Sequence, residues 1–297
     1  MNLPSIAQGI VEAAQVLRKA GVPEARREAG SLLAHATARD RTFLITHADE
    51  LLSLDELKRF REFVVRRAAG EPLQYITGRQ EFFSLDFEVT PDVLIPRPET
   101  ELLVETAIEL LKETEQQQPQ PLICDVGTGS GCIIITLLHE RPHTRGVALD
   151  ISPPALAVAA RNAARLNVSD RLTFIASDCF SALRPQGARF SMIVSNPPYI
   201  SASMMDGLQR EVREHEPRLA LTPGDDGLLV VKRIATEAAS FLNSGGHLIL
   251  EIGFDHHERV AQLFDAHPWQ LLYIRKDLQG IPRTVVARKK VKVKRQK

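Results

Sequence analysis

The chain is poor in cysteine and in aromatic residues, and it has no long apolar run. Its 297 residues include three cysteines, Cys124, Cys132 and Cys179, an odd number without metal-ligand spacing. That count excludes a fully paired disulfide framework, so reduced thiols and a cytoplasmic compartment are expected. No apolar stretch approaches the ~18 residues needed to span a bilayer, so no membrane partner is expected. The residues Met1-Asn2-Leu3-Pro4-Ser5 do not open a basic region followed by an apolar core, so no secretory signal is expected. The nine histidines read as structural or surface residues, and no metal is expected. Aromatics make up only 5% of the chain, with one tryptophan, which argues against a stacking surface for nucleic acid.

Net charge is formally zero, with 37 basic and 37 acidic side chains, but it is unevenly placed. Residues 288–297 carry seven basic residues and no acid; without them 30 basic residues face 37 acidic ones. A body with that excess of acid disfavours a long phosphate backbone, so direct nucleic-acid binding is not expected. The basic tail, residues 289–297, can touch RNA, but such ends more often serve as solubilising termini.

The pattern along the chain has three parts. Residues 1–70 read as helical. Ile6, Ile10, Ala13 and Val16-Leu17 recur at helical spacing, and Gly21 and Pro23 stop the run. A second helix is expected over Ala25 to Ala36. A third is expected over Leu54 to Ala69, opened by the capping box Ser53-x-x-Glu56. Residues 71–97 read as a hairpin linker with strands at Gln80 to Phe83 and Asp86 to Val89. A helix to about Lys112 and a surface loop from Glu113 to Pro121 follow. Residues 98–288 then alternate. Strands are expected at 121–126, 146–150, 171–176, 190–195 and 246–252, with two more at Leu271 to Ile274 and Thr284 to Ala287. Helices are expected at 130–140, 153–166, 226–242 and 255–265. Such alternation makes an α/β fold: a mostly parallel, seven-stranded sheet with helices on both faces, beside a small helical amino-terminal domain.

Ligand-binding signals sit where these strands end. Leu122 to Val126 runs into Gly127-Thr128-Gly129-Ser130-Gly131, and an apolar helix follows. Glycines there let a ligand approach the backbone and the helix's free N–H groups. The dinucleotide fingerprint wants its third glycine where Cys132 stands, so the loop suits a smaller ligand with a carboxylate and an amine rather than a pyrophosphate. Asp150 closes the second strand, where an acid accepts hydrogen bonds from ribose hydroxyls. Asp178, Cys179 and Phe180 follow the third strand, where an adenine amine can meet a carboxylate and its face an apolar side chain. Each of these alone is as well read as a turn glycine, a cap or a surface acid. In order, at successive strand ends, they describe a nucleoside site.

The fourth strand, Phe190 to Ser195, ends in Asn196-Pro197-Pro198-Tyr199. The Asn196 side-chain oxygen and the Pro197 carbonyl are two acceptors for a planar nitrogen group, and the prolines stiffen the loop. The Tyr199 ring offers a stacking face. The plain alternative is a Pro-Pro turn opened by an asparagine. After the glycine loop and the ribose acid, the combination describes S-adenosylmethionine beside a loop that holds an amide or amine.

At this point the chain resembles the class I, Rossmann-like methyltransferases, and within them the release factor glutamine methyltransferases (the HemK/PrmC family). The resemblance spans nearly the whole chain. It is carried by the helical amino-terminal domain, Gly78-x-x-Glu81-Phe82, Ile95-Pro96-Arg97-Pro98-Glu99-Thr100-Glu101, Gly127 to Gly131, Asn196 to Ile200, Pro217-Arg218-Leu219-Ala220-Leu221 and Asp226-Gly227-Leu228. It implies methyl transfer to the glutamine amide of a Gly-Gly-Gln motif in peptide-chain release factors by a monomeric enzyme, whose helical domain recognises the substrate. It implies a cofactor site of Gly127, Thr128, Gly129, Ser130, Gly131, Asp150, Asp178, Cys179, Phe180 and Asn196. Asn196, Pro197, Pro198 and Tyr199 would hold the substrate glutamine, with Asn196, Pro197 and Tyr199 as the catalytic set. Cys179 stands where such enzymes often place an aromatic, which leaves the adenine partner between Cys179 and Phe180. The neighbouring readings are a ribosomal-protein glutamine methyltransferase and a DNA or RNA amino-methyltransferase, which shares the Asn-Pro-Pro-Tyr motif.

Overall fold

The computed structural model describes residues 3–187, 189–224 and 226–291, and by its contacts the chain divides into two compact units. One comprises residues up to Arg79 together with Gln209–His215; the other comprises Gln80–Leu208 and residues from Glu216 onward. Among the described residues, no helix is long and apolar enough to cross a membrane.

The first unit is helical: α1 (Ile6–Lys19), α2 (Ala25–Thr37), α3 (Arg41–Thr46), α4 (Leu54–Ala68) and α5 (Leu73–Thr77). Reciprocal capping boxes open α1 at Ser5 and Gln8 and α4 at Ser53 and Glu56, satisfying end N–H groups that would otherwise be orphaned. The two short helices were not legible in the apolar period. Asp40 caps α3 by accepting from the Phe43 N–H at 2.7 Å. α5 occupies the start of the segment read as hairpin linker, and Gly78 ends it in the left-handed conformation. The core joins Leu17, Leu32, Leu33, Leu57, Phe60 and Val64. Arg67 is buried there, 5% exposed, with its guanidinium 2.5 Å from Glu28 and 2.7 Å from Glu211. Glu211 lies on the short helix Arg210–His215, so this buried cation ties that distant segment into the unit.

The second unit opens with the hairpin β1 (Arg79–Phe82) and β2 (Leu85–Glu88), each one residue earlier than expected. α6 (Glu101–Gln117) runs five residues past its expected end at Lys112. Glutamine is a good helix former, so the Gln run extends the helix and leaves only residues 118–121 as loop. Then come β3 (Leu122–Val126), α7 (Cys132–Glu140), β4 (Arg145–Asp150), α8 (Pro153–Arg165), β5 (Leu172–Ala176) and β6 (Phe190–Ser195). The chain continues through α9 (the Arg210–His215 helix), α10 (Arg218–Leu221), α11 (Leu229–Glu237), β7 (Leu242–Glu251), α12 (His257–Ala261), β8 (Trp269–Lys276) and β9 (Pro282–Lys289). α11 stops well short of the expected 242. The chain there turns into a ten-residue β7, whose start pairs Leu242 with Phe190 before a register shift. Because β9 ends at Lys289, the expected tail begins inside the sheet; residues 292–297 lie outside the described residues.

The sheet has the order β5-β4-β3-β6-β7-β9-β8. The first five strands in this order pair in parallel, and β9 joins antiparallel to β7 and β8. The chain lays β4 and β5 on one side of β3 and β6 on the other. The crevice at the carboxyl ends of β3, β4 and β6 is therefore the topological switch point of the sheet. Successive side chains feed opposite cores: Met192 and Val194 pack with Leu103, Leu111 and Ile134, while Ile193 packs with Phe190, Val231 and Ile234. Burial on both faces explains why β6 reads as an unbroken apolar run.

Arg67→Ala should lower the unfolding free energy of the helical unit by about 3 kcal/mol, because removing one member of a buried ion pair strands the other. Urea unfolding followed by circular dichroism measures it; an unchanged midpoint would remove Arg67 as the anchor of the Arg210–His215 segment.

Candidate active site

The glycine loop lies between β3 and α7. Gly127, Gly129 and Gly131 have φ of 74°, 55° and 82°, a region that favours glycine. A Cβ on Gly127 or Gly129 would meet nothing within 4 Å, whereas one on Gly131 would lie 2.5 Å from Ile135 Cδ1. Two glycines thus open onto space and the third allows close helix packing. The N–H groups of Gly127 and Thr128 both donate to the Leu149 carbonyl, at 2.8 and 3.0 Å. Gly131 N–H donates to Thr128 O at 2.8 Å, and Gly129 N–H to Asp150 Oδ2 at 2.8 Å. Four N–H groups of the loop itself are thus engaged within the protein. That removes the donor nest a pyrophosphate needs and fits a ligand held by other means.

Asp150 is fixed by the same contacts. Its second oxygen accepts from the Ser152 N–H at 2.9 Å. Burial raises its pKa above the usual carboxylate value, against the pull of the backbone donors. Asp125, on β3, went unnoticed in the sequence, although a charged residue inside an apolar strand is itself a signal. It is fully buried and accepts from Thr128 Oγ1 at 2.7 Å; its Oδ1 has no partner, and neither does the buried Ser130 hydroxyl. Burial pushes the Asp125 carboxyl up to about 7. Of the two residues only Ser130 borders the open space over the loop; Asp125 is tied to the loop through Thr128.

A cavity of about 420 Å³ spreads over this cradle. It is lined by Gly127 to Ser130, Asp150, Asp178, Cys179, Asn196, Pro197 and Pro198. Pro96, Arg97, Thr100 and Pro217 to Ala220 also line it, so two further quoted segments, Ile95 to Glu101 and Pro217 to Leu221, reach the cavity. Glu216, another residue missed in the sequence, joins those motifs. Its buried carboxylate accepts from the Ile95 N–H at 3.2 Å and from Arg97 Nη2 at 2.5 Å. Asn162 supports the cradle from below. Its amide accepts from Glu88 N–H at 2.7 Å and donates to Glu88 O at 3.0 Å and Ser130 O at 2.9 Å, joining the hairpin to the loop.

Three expected site residues, Gly131, Phe180 and Tyr199, are not in the cavity lining; Gly131 packs on Ile135 of α7. Phe180 does not line the cavity; it is 1% exposed and stacks on Phe241 at 4.9 Å within the core. Cys179, at φ 48°, is the neighbour that faces the cavity. Asp178 reaches it too, but its carboxylate is paired at 2.7 Å with Arg233 of α11. Tyr199 also lies outside the lining, because its hydroxyl donates to Glu251 Oε1 at 3.3 Å. Gly227, of the Asp226-Gly227-Leu228 segment, lies against the same loop: a Cβ there would sit 2.4 Å from the Tyr199 carbonyl oxygen.

Asn196 Nδ2 donates to Thr100 Oγ1 at 3.1 Å, which leaves its side-chain oxygen as the free end. Behind them Glu251, 1% exposed, is pushed up to about 7 by burial, while the Thr100 and Tyr199 hydroxyls and Arg283 favour its ionised form. Thr100 belongs to the Ile95-to-Glu101 segment but was given no role of its own there, and Glu251 was not singled out in the sequence. His139 and His143, two histidines at metal-ligand spacing, do not share a helical face, since α7 ends at Glu140 ahead of Pro142. Among the described residues, no group of three or more His, Cys, Asp or Glu side chains is placed to hold a metal.

Residues 9–78 match the PrmC N-terminal domain, and residues 100–218 match the methyltransferase small domain. The chain is 42% identical over 285 residues to a release factor glutamine methyltransferase of Koribacter versatilis, covering 96% of this chain and 99% of the relative. It is 45% identical over 272 residues to one of Cereibacter sphaeroides, covering 92% and 94%. In structure it is similar to a methyltransferase from Pyrococcus furiosus, with a TM-score of 0.52 at 16% identity, covering 76% of this chain and 98% of that one; this likeness concerns the fold alone.

The buried Asp125 gives a signed pH dependence. Its ordinary value is 3.8 and its folded value about 7. Between these the folded protein keeps a proton that the unfolded chain has released, so its contribution to stability falls as pH rises through that window and is flat above it. Urea midpoints from pH 4.5 to 8 should show wild type losing stability relative to Asp125→Asn up to about pH 7. Parallel curves would show that Asp125 is ionised in the folded state throughout.

Proposed function

The chain belongs to the release factor glutamine methyltransferase family, and on that premise we propose that it methylates the side-chain amide nitrogen of the glutamine in the Gly-Gly-Gln motif of peptide-chain release factors. The observation that carries this reading is the amide of Asn196, whose nitrogen is taken by Thr100 so that its oxygen is left for a ligand at the cavity wall. S-adenosylmethionine, the cofactor of this family, supplies an electrophilic sulfonium methyl group when bound. Gly127 to Gly131 would cradle its amino-acid end, Asp150 its ribose, and Asp178 with Cys179 its adenine.

An amide nitrogen is a weak nucleophile because its lone pair is delocalised into the carbonyl. Two acceptors aimed at its two hydrogens, Asn196 Oδ1 and the Pro197 carbonyl, orient that lone pair and favour a pyramidal nitrogen. Alignment of this kind supplies several kcal/mol, up to the ~7–11 of near-ideal intramolecular reactions. The same acceptors tighten as the nitrogen gains positive charge, so they stabilise the transition state more than the ground state. Among the described residues, neither Lys nor His lines the cavity. None is needed before transfer, because the alkylated nitrogen is acidic and sheds its proton afterwards. Tyr199, held by Glu251, braces the loop from behind. The helical unit carries no catalytic constellation, and we assign it the grip on the protein substrate.

Incubation of the purified chain with labelled S-adenosylmethionine and a release factor should label the Gly-Gly-Gln glutamine. Labelling of ribosomal proteins or DNA instead would redirect the assignment. Asn196→Ala should lower turnover on the release factor ~10²-fold or more with cofactor binding kept, as for loss of a transition-state hydrogen bond; near-normal turnover would sink the amide-clamp reading. Asp150→Ala should weaken cofactor binding by ~1–3 kcal/mol in calorimetry, the cost of losing a charged acceptor. Unchanged affinity would remove Asp150 from the ribose.

A further inference from the structure

The turn after β5 holds a strained residue at the cavity wall. Cys179 has φ 48°, a left-handed backbone that a residue with a Cβ seldom adopts. Such a conformation persists only where its surroundings over-determine it, and it clusters at ligand sites. Here the turn is held from two sides. From within, the buried Ser177 hydroxyl donates to the Cys179 carbonyl at 2.7 Å and accepts from the Ala182 N–H at 3.1 Å. From α11, Arg233 grips the preceding residue. Its Nη1 lies 2.7 Å from Asp178 Oδ2, and its Nη2 donates to the Asp178 carbonyl at 3.0 Å. Its Nε donates to Glu237 Oε1 at 2.9 Å, one turn further along the same helix. A guanidinium is planar, with its donors fixed in a fork, so three acceptors hold it in one orientation. An ion pair at this exposure adds little to stability. Its effect is on direction. Asp178 is half-exposed at the cavity wall, where its carboxylate would otherwise turn freely. Arg233 takes Oδ2, and Oδ1 is the acceptor left over.

We propose that Arg233 is a positioning residue that makes the site selective for a 6-aminopurine over a 6-oxopurine. It acts through Asp178, and the inference rests on the reading above in which Asp178 and Cys179 meet the adenine of the cofactor. Adenine carries a donor amine at C6, where hypoxanthine carries an acceptor oxygen. A carboxylate only accepts. Fixed at the cavity wall, Asp178 meets the amine with a hydrogen bond and the oxygen with repulsion. A carboxylate free to turn would swing away from the oxygen, and the repulsive half of the discrimination would be lost. By holding the Asp178 carbonyl, Arg233 also anchors the turn in which Cys179 reaches the cavity and Phe180 enters the core.

Calorimetric binding of S-adenosylhomocysteine and S-inosylhomocysteine to the full chain tests this, because the two ligands differ at purine C6. Wild type should prefer the amino form about 30-fold, the worth of a hydrogen bond to a charged group. Arg233→Met keeps an unbranched side chain and removes the fork. Its preference should fall to about threefold, as the carboxylate loses its fixed direction. In an Asp178→Ala background the same Arg233→Met change should leave the ratio where it was, because no carboxylate remains to be aimed. A merely structural role for Arg233 would weaken both ligands alike. An unchanged ratio in Arg233→Met would therefore overturn the proposal, and so would a further change of ratio in the Asp178→Ala background. A wild-type chain that binds neither ligand would overturn the cofactor reading and this inference with it. One that binds both equally would remove Asp178 from the adenine, and Arg233 with it. A wild-type preference that survives in Arg233→Met would overturn the role of Arg233 alone.

Discussion

The site depends on the parallel pairing of β3 with β6. Ile123, Cys124 and Asp125 lie against Met192, Ile193 and Val194, and the Ser195 hydroxyl closes the ladder on the Val126 carbonyl at 2.6 Å across 69 residues of sequence. The glycine loop leaves one of these strands and the Asn196 loop leaves the other. Both loops therefore border the same cavity. The pairing is secured by burial on both faces of the sheet, so a register slip would expose the apolar set of an entire strand.

The unit places costly groups beside that pairing. Asp125 and Glu251 are both buried, and burial holds the pKa of each near neutrality. Neither improves the packing of the core. Each accepts from a hydroxyl of a ligand-binding loop, Asp125 from Thr128 and Glu251 from Tyr199. Stability is given up where polar side chains must hold one orientation, which is where catalysis draws on pre-organised dipoles. The Arg67 pair in the helical unit has a different use: it fixes a piece of chain that returns from far along the sequence.

Much of the fold was legible because its signals are local. The apolar run of Phe190 to Ser195, the capping box at Ser53 and the Gly127 to Gly131 loop each act within a few residues, and each gives the expected element. Errors fell where propensity or context overrode pattern. The Gln run was helical, β7 was longer than its apolar stretch, and α3 and α5 were too short to show a period. Within the site, strand-end residues were found and their partners were not. Thr100 and Glu216 lie in or beside quoted segments that named no role for them, and Asn162, Arg233 and Glu251 lie on other elements where nothing nearby marks them. Phe180 was misplaced for the same reason: its stacking partner, Phe241, is distant in sequence.

The sequence by itself determined the alternation of strand and helix, the glycine loop, the acid after β4 and the Asn-Pro-Pro-Tyr motif, because backbone conformation and side-chain type are local properties. With the family resemblance, these were enough to name the chemistry. Only the tertiary structure decided which way that chemistry points. It assigned the nitrogen of Asn196 to Thr100, brought Glu251 behind both, turned Phe180 into the core and spent the loop N–H groups on Leu149 and Asp150. A hydrogen bond has a direction as well as two partners, and that direction is fixed by every group the partners touch, which only the folded chain brings together.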